Sequence, residues 1–299
     1  MYNQIAANKR KSWLLVAVFF VLVVAIGYFW GAYTGDYVGT TTFALILSTV
    51  MALVSYYQGD KVALKLSGAV PIASESQNPY VWRLVENLCI AEGVPMPKVY
   101  LIPDQAMNAF ACGRNPEHAA IALTEGIVAK LENEELEGVI AHELSHIKNY
   151  DILVGTLVIV LVGLVSILSN IFLRSARFVG GRRSDREGNA GGILMIIGFV
   201  LILLSPLIAN LIKLAISRRR EFLADASGAL LTRYPEGLAR ALEKIEADGT
   251  PLTRAAEATA HLYFTSPFGR TSKFMSKLFS THPPTLERIQ ALRQMASAK

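Results

Sequence analysis

Four long runs without a charged residue constrain the fold of this 299-residue chain more than any other feature. Each exceeds the roughly 20 residues that a helix needs to cross about 30 Å of hydrocarbon. The charged fraction of only 18% and the mean hydropathy of +0.37 are also typical of a membrane protein. The sequence therefore predicts four transmembrane helices, although the last two runs could instead pack against the soluble part. The runs are Ser12 to Gly35, Tyr37 to Gly59, Ile152 to Leu173 and Asn189 to Ile212.

The apolar runs divide the chain into two hydrophobic hairpins and two soluble segments. The first hairpin is predicted over residues 1–59, with helices at about 12–35 and 37–59. The second is predicted over residues 151–216, with helices at about 152–173 and 189–212. Segments 60–150 and 217–299 remain as the two soluble parts.

Basic residues predict the orientation of the chain. Lys9, Arg10 and Lys11 precede the first run, and only Asp36 is charged between the first two runs, so the N-terminus and both soluble segments are expected in the cytoplasm. The connection between the third and fourth runs opposes this orientation, because five arginines and two acids give it a charge of 5 − 2 = +3 on the expected outer side.

The segment 60–150 predicts a helix followed by a small sheet. The helix extends from Pro79 to Gly93, and the candidate strands are Lys98 to Ile102, Asn108 to Cys112 and Ala119 to Leu123. Either of the last two strands could be an edge strand that holds an extended substrate, or both could be covered. The pattern leaves this choice open.

His142-Glu143-Leu-Ser-His146 predicts a metal-dependent hydrolase. On a helix the two histidines lie about 6 Å apart along the axis and about 40° apart around it, so both can reach one ion. Glu143 points elsewhere and can act as general base on a water held by that ion. Asn133 is the predicted N-cap of this helix. The alternative is an ordinary amphipathic helix whose histidines pair with surface carboxylates.

The third ligand is expected from the second soluble segment. No histidine follows His146 within six residues and no Leu-Asp-Gly occurs, which excludes two common arrangements. Glu221 and Asp225 lie four residues apart on one predicted helix. We assign Glu221 to the metal and Asp225 to the outward N–H of a ligand histidine, whose tautomer it would fix.

The C-terminal part predicts two further helices and a mobile loop. A helix is expected over 238–247, and residues 262–280 show no clear period. Thr281-His282-Pro283-Pro284 then opens a last helix with an apolar stripe. His282 is typical of a capping or surface residue, or it donates to the oxyanion of the reaction. The stripe consists of Leu286, Ile289, Leu292 and Met295.

The remaining composition restricts the partners. Cys89 and Cys112 are not spaced like zinc ligands, so reduced thiols in the core are expected. The net charge of +5 comes mainly from residues that flank the apolar runs, and it requires no nucleic-acid partner.

A membrane scaffold with structural zinc and a transporter are the alternative functions. The scaffold would need a fourth protein ligand, and the transporter has only Asn170 and Asn210 as amides in the interior of its last two runs.

Several separated motifs together resemble the HtpX-type membrane metalloproteases, and more distantly the zinc CaaX prenyl endoproteases. The resemblance implies an α-helical membrane protein with a mainly α (α+β) zinc protease domain of the gluzincin type. Its small β-sheet would precede the motif helix. The motifs are the two N-terminal runs, Asn108-Ala109-Phe110-Ala111, His142 to Asp151, the second hydrophobic hairpin, Arg220 to Asp225 and Thr281-His282-Pro283.

The resemblance also implies a function. The protein would be a zinc endopeptidase of a bacterial or archaeal plasma membrane that faces the cytoplasm and degrades membrane proteins under stress. One Zn²⁺ per chain, polypeptide substrates and the lipid bilayer are the implied partners, with no nucleic acid. Glu143 would be the base, His142, His146 and Glu221 the ligands, Asp225 the supporting carboxylate, Asn108, Ala109 and Phe110 the substrate strand, and His282 and Arg288 oxyanion or structural support.

Overall fold

A hairpin of two long helices forms the N-terminal part of the chain. The computed structural model describes residues 2–159, 163, 217–254, 258–268 and 283–297. Helix α1 is Tyr2–Thr34 and helix α2 is Tyr37–Ser67, and both are long and apolar enough to span a bilayer. Two of the four predicted spans are therefore seen. Most of the second hydrophobic hairpin and His282 lie outside the described residues.

The hairpin has the surface of a membrane segment and not of a soluble core. Only 17% of the most apolar window of each helix is buried. Val21 and Phe43 are each 67% exposed, which would be unfavourable in water over so long a surface. The two helices approach closely at Gly27, where an added Cβ would lie 2.4 Å from the Cβ of Ala44.

Helix α2 continues past the predicted end at residue 59. Its last turns contain charged Lys61 and Lys65 and leave the apolar run. The helix persists because Ala63 and Leu64 are buried against the sheet, together with Phe110 of the third strand. The hairpin and the soluble part are thus joined by one continuous helix.

The part of the chain that follows the hairpin contains a four-stranded mixed sheet, in which the strand order is β1-β2-β4-β3. Strand β1 is antiparallel to β2, β2 is parallel to β4, and β3 is antiparallel to β4. Three strands agree with the predicted ones. Strand β1 escaped prediction because it has three residues, of which only Ile72 is buried. The strands are β1 Val70–Ile72, β2 Lys98–Ile102, β3 Ala109–Gly113 and β4 Ala119–Thr124.

Helices cover the sheet and enclose helix α5, which carries the motif. Helix α5 begins with Glu132 as N-cap and not with Asn133 as predicted, because Glu132 and Glu135 form a reciprocal capping box. Leu136, Val139 and Ile140 are completely buried. The helices are α3 Pro79–Glu92, α4 Glu125–Lys130 and α5 Asn133–Lys148, and residues 151–159 are also helical.

The second soluble segment contains three helices, of which the first two pack against α5 and the third packs against those two. They are α6 Arg218–Thr232, α7 Pro235–Asp248 and α8 Thr285–Ser297. The predicted stripe of α8 is wrong at Leu286, which is 70% exposed, whereas Ile289 and Leu292 are buried. The buried face of α8 includes Arg288 instead, because this residue has a carboxylate partner in the interior.

The expectation of a mobile loop from residue 262 is wrong for its first part. Tyr263 and Phe264 are each only 1% exposed, and Phe264 N donates to Ala109 O at 2.8 Å. Tyr263 and Phe264 therefore fill the core at this turn, although the sequence around them has no helical or strand period. The two cysteines agree with prediction, since Cys89 and Cys112 are both free and buried.

Candidate metal centre

Helix α5 places the two histidines of the motif at one point. His142 Nε2 and His146 Nε2 are 3.1 Å apart, and the two rings meet edge to face. The positions i and i+4 bring both side chains to the same face of the helix. His142 is 1% exposed, so the centre lies in the interior.

Helix α6 supplies the carboxylate. One Glu221 oxygen lies 3.7 Å from His142 Nε2 and the other 3.7 Å from His146 Nε2. The approach of α6 to α5 depends on Gly228, where an added Cβ would lie 3.0 Å from the backbone N of His142. The described residues therefore bring His142, His146 and Glu221 together as one group of potential ligands.

Each histidine is oriented by a carboxylate on its other nitrogen. Asp225 Oδ1 lies 2.9 Å from His142 Nδ1, and Asp151 Oδ2 lies 3.0 Å from His146 Nδ1. A carboxylate accepts the Nδ1–H and leaves the lone pair on Nε2, which is the tautomer that binds a metal. With a metal bound, both Nε2 atoms would therefore present lone pairs beside Glu221.

Arg288 holds Asp225 in place. Its Nε donates to Asp225 Oδ2 at 2.8 Å and its Nη2 donates to Oδ1 at 2.7 Å, with Arg288 only 2% exposed. Burial alone would raise the pKa of Asp225, but the charge and hydrogen bonds of Arg288, with those of His142, lower it to about 2. The structure thus places Arg288 behind Asp225 and not beside the pocket.

Asp151 is a site residue that the sequence analysis missed. Its Oδ1 accepts from Arg220 Nη1 at 2.9 Å and from Asn8 Nδ2 at 2.6 Å, while Oδ2 faces His146. Asn8 also donates to Asn149 O at 2.9 Å. The sequence signal for this role of Asp151 was the presence of an acid five residues after the second histidine. No sequence pattern indicated that the first membrane helix contacts it.

The two histidines have opposite proton affinities as long as no cation is bound. Burial lowers the pKa of His142 to about 4, although Asp225 acts in the raising direction. Burial also disfavours the charged form of His146, but the hydrogen bond to Asp151 and the charge of Glu221 prevail and raise its pKa to about 9. His146 therefore carries a proton near neutral pH that a metal must displace.

Glu143 lies at a pocket of about 50 Å³ beside the histidines. It is 2% exposed, and its carboxylate faces the same space as His146 and Glu221. The wall opposite α5 includes Ala111 of β3. The pocket is completed by Asp151, Ile152, Gly155, Arg220, His261 and Leu262.

Strand β3 is the edge of the sheet, which decides between the two candidate edge strands. Thr124 N donates to Asn108 O, so alternation turns the backbone groups of Ala109, Ala111 and Gly113 away from β4. Ala109 O accepts from Phe264 N, and Gly113 N donates to Thr156 Oγ1 at 3.0 Å. Ala111 lies between these two covered positions and faces the pocket.

The other residues predicted for the substrate strand have structural contacts. Asn108 Nδ2 donates to Thr265 O at 3.0 Å and its Oδ1 accepts from Thr265 N at 3.2 Å. Phe110 is completely buried and packs edge to face on Tyr263. Asn108 and Phe110 therefore hold the edge strand and the turn around residue 264 together. His282 lies outside the described residues.

The three converging side chains fit a zinc ion. Nitrogen and oxygen ligands of tetrahedral zinc lie about 3.3 Å from one another, as follows from metal–ligand distances of about 2.0 Å. The observed separations of 3.1, 3.7 and 3.7 Å bracket this value. Two neutral imidazoles and one carboxylate, each with a fixed orientation, form a donor set that zinc hydrolases use.

Comparisons with known proteins agree with this geometry. The profile of Peptidase family M48 matches residues 75–296. A "Protease HtpX homolog" of Tropheryma whipplei (strain Twist) is 46% identical over 299 residues, which cover 99% of each chain. A protein of the same name from Caldanaerobacter subterraneus subsp. tengcongensis is 43% identical over 298 residues, which cover 99% of this chain and 98% of the relative.

A solved structure shares the fold. The crystal structure of S. mikatae Ste24p superposes with a TM-score of 0.50 at 19% sequence identity. The match covers 98% of this chain and 67% of that protein. At this identity the likeness concerns the arrangement of the elements, and it includes the membrane helices as well as the soluble part.

Proposed function

This chain belongs to peptidase family M48 and is a metallopeptidase of the membrane, and we propose that it is a zinc-dependent endopeptidase. Its substrates would be cytoplasmic regions of misfolded or damaged membrane proteins. The observation that carries the proposal is the convergence of His142 Nε2, His146 Nε2 and Glu221 beside Glu143 in one pocket.

His142, His146 and Glu221 would hold the zinc ion. When bound, zinc would polarise the scissile carbonyl and make a water molecule more acidic. Asp225 and Asp151 accept the Nδ1–H of the two imidazoles, so that each Nε2 would face the ion. Arg288 balances the buried charge of Asp225, and Arg220 balances that of Asp151.

Glu143 would be the general base. Its carboxylate lies in the pocket and outside the ligand group, as expected for a residue one position after His142 on the helix. It would accept a proton from the attacking water and return it to the nitrogen of the leaving amine. The side chain is only 2% exposed, which limits competition from bulk water for this proton.

The edge at Ala111 would bind the substrate backbone. An extended peptide pairs with an unpaired strand edge through main-chain hydrogen bonds, which recognise no particular side chain. Only one outward-facing residue of β3 opens to the pocket, since Ala109 and Gly113 have other partners. The short contact predicts that unfolded or extended segments are cleaved with little sequence preference.

The location of cleavage follows from the position of the pocket. Helix α5 carries Glu134 and Glu135 in its first turn and lies beside the sheet, outside the candidate spans. A helix with these acids does not enter hydrocarbon, so we propose that cleavage occurs in loops and tails on the cytoplasmic side. The alternative of a scaffold with structural zinc is disfavoured, because the described ligand group has three members and structural zinc takes four.

The test is metal analysis with proteolysis of an unfolded protein for the wild type, Glu143→Gln and Glu221→Ala. Glu143→Gln should keep one zinc per chain and lose nearly all activity, whereas Glu221→Ala should lose zinc and activity together. Full peptidase activity of zinc-loaded Glu143→Gln would contradict the assigned base. If the zinc-loaded wild type were as inactive as Glu143→Gln, a membrane scaffold with structural zinc would be favoured.

A further inference from the structure

A second cavity lies between the membrane hairpin and the soluble part. Its volume is about 290 Å³. Helices α1 and α2, the turn between β3 and β4, and the start of the helical segment 151–159 enclose it. None of the assigned metal ligands lines it, and the proposed peptidase mechanism does not use it.

Two basic side chains contribute to the wall of this cavity. Lys9 Nζ lies 4.3 Å from the centre of the Tyr150 ring, and the Arg114 guanidinium lies 5.2 Å from the centre of the Tyr57 ring. Within the described part of the chain, neither cation has a carboxylate within 4 Å, and no acid lines the cavity. By contrast, Arg220 and Arg288 are paired with buried aspartates. An anion in the cavity would complete the charge balance.

Apolar side chains form another part of the wall. Lys9, Trp13 and Val16 follow one face of α1, and about 10 Å of helix separates the first from the last. Leu153 and Leu157 line the cavity from the segment 151–159. Since α1 enters its apolar span in this direction, the wall that α1 contributes changes from cationic to apolar toward the hydrocarbon.

Trp13 marks the level of the membrane surface. It is 71% exposed, and tryptophan is enriched at the boundary between headgroups and acyl chains. Lys9, one helical turn before Trp13, therefore lies at the level of the headgroups. A water-soluble anion would leave the apolar wall of the cavity without a contact.

Tyr150 has a backbone conformation that places its ring at the cavity. Its φ of 60° lies in the left-handed region, which is unfavourable for a residue other than glycine. The ring receives Lys9 and lines the cavity, and the next residue is Asp151, which orients His146. The junction between α5 and the segment 151–159 thus connects the cavity to the metal centre.

We propose that this cavity binds the headgroup of an anionic phospholipid. The phosphate would lie between Lys9 and Arg114, where guanidinium and ammonium groups are suited to phosphate oxygens. The first carbons of an acyl chain would contact Val16 and Leu157. The bound lipid would stabilise the junction at Tyr150.

The experiment compares lipids on the purified full-length protein in neutral detergent. Binding of short-chain phosphatidylglycerol, short-chain phosphatidylcholine and inorganic phosphate is measured by native mass spectrometry and by the shift in unfolding temperature. The variant Lys9→Met/Arg114→Gln removes both cations. Lys61→Met/Lys65→Gln is the matched control, because these exposed lysines follow the second span and do not line the cavity.

Phosphatidylglycerol should bind more tightly than phosphatidylcholine. A basic residue at an anionic headgroup contributes about fivefold to affinity, so loss of both should weaken binding about 25-fold. The control should bind as the wild type does. Val16→Trp, which fills space beside the apolar wall and keeps both cations, should also weaken phosphatidylglycerol binding. The zinc content of each variant shows whether it is folded.

Three outcomes would overturn the proposal. Equal binding of the two lipids would show that the cavity does not recognise an anion. An equal loss in the lysine control would show general surface attraction. Competition by inorganic phosphate, with no effect of Val16→Trp, would identify the ligand as a soluble anion.

Discussion

Replacement of Asp151 by asparagine tests how the fold controls the metal centre. The substitution keeps the shape of the side chain and removes its charge. Asp151 contacts His146 Nδ1 at 3.0 Å, Arg220 Nη1 at 2.9 Å and Asn8 Nδ2 at 2.6 Å. The single oxygen of an amide cannot serve all three donors, and its NH₂ group would face one of them.

The expected cost is a 10- to 100-fold loss of zinc affinity, or about 1.4–2.7 kcal/mol, because the carboxylate that orients a ligand histidine is typically worth this much. The side chain of Arg220 is only 12% exposed, so loss of its ion partner should also lower the unfolding temperature. Without the charge and hydrogen bond of Asp151, the pKa of His146 should fall from about 9.

The assay is competition for zinc with a chelator of known affinity, repeated between pH 6.5 and 8.5. The matched control is Asp248→Asn, since Asp248 forms a surface pair with Lys130 at 2.8 Å and does not contact the metal centre. The control should keep the zinc affinity of the wild type. Unchanged zinc affinity and unchanged pH dependence in Asp151→Asn would refute the role of Asp151.

Three further predictions follow from buried groups. Zinc affinity of the wild type should rise about tenfold per pH unit between pH 6.5 and 8.5, because His146, with its pKa near 9, must release a proton to bind zinc; pH-independent chelator competition would contradict this. Gly228→Val should destabilise the protein by about 1–3 kcal/mol and reduce bound zinc, because a side chain there meets the backbone of His142; thermal unfolding and metal analysis measure both effects. Cys89 should resist alkylation at pH 8 in the folded protein and react after unfolding, because burial raises its pKa to about 12; rapid labelling of the native protein, detected by mass spectrometry, would contradict this.

The elements that were predicted correctly have strong local signals. The runs that became α1 and α2 need only length and hydropathy, and strands β2, β3 and β4 show β-branched and apolar patterns over five or six residues. Errors arose where a contact distant in sequence decides the outcome. Leu286 was assigned to the core and Arg288 was not, because helical periodicity cannot show that Asp225 will neutralise an arginine in the interior.

The sequence by itself determined which side chains could act as metal ligands. His142 and His146 must share a helix face because the α-helix has 3.6 residues per turn, and Glu221 and Asp225 have the same spacing. These relations are local, so they depend on backbone geometry alone. The spacing of four residues between Glu221 and Asp225 also allowed the prediction that one of these acids faces the metal and the other faces a histidine.

Only the tertiary structure decided how the centre is joined to the rest of the protein. It placed Asp151 on His146 and Asn8 of the first membrane helix on Asp151, and it left Ala111 as the part of the edge strand that faces the pocket. Asn8 and Asp151 are 143 positions apart in the sequence. No local propensity acts over such a distance, because the contact exists only once the hairpin has packed against the soluble part.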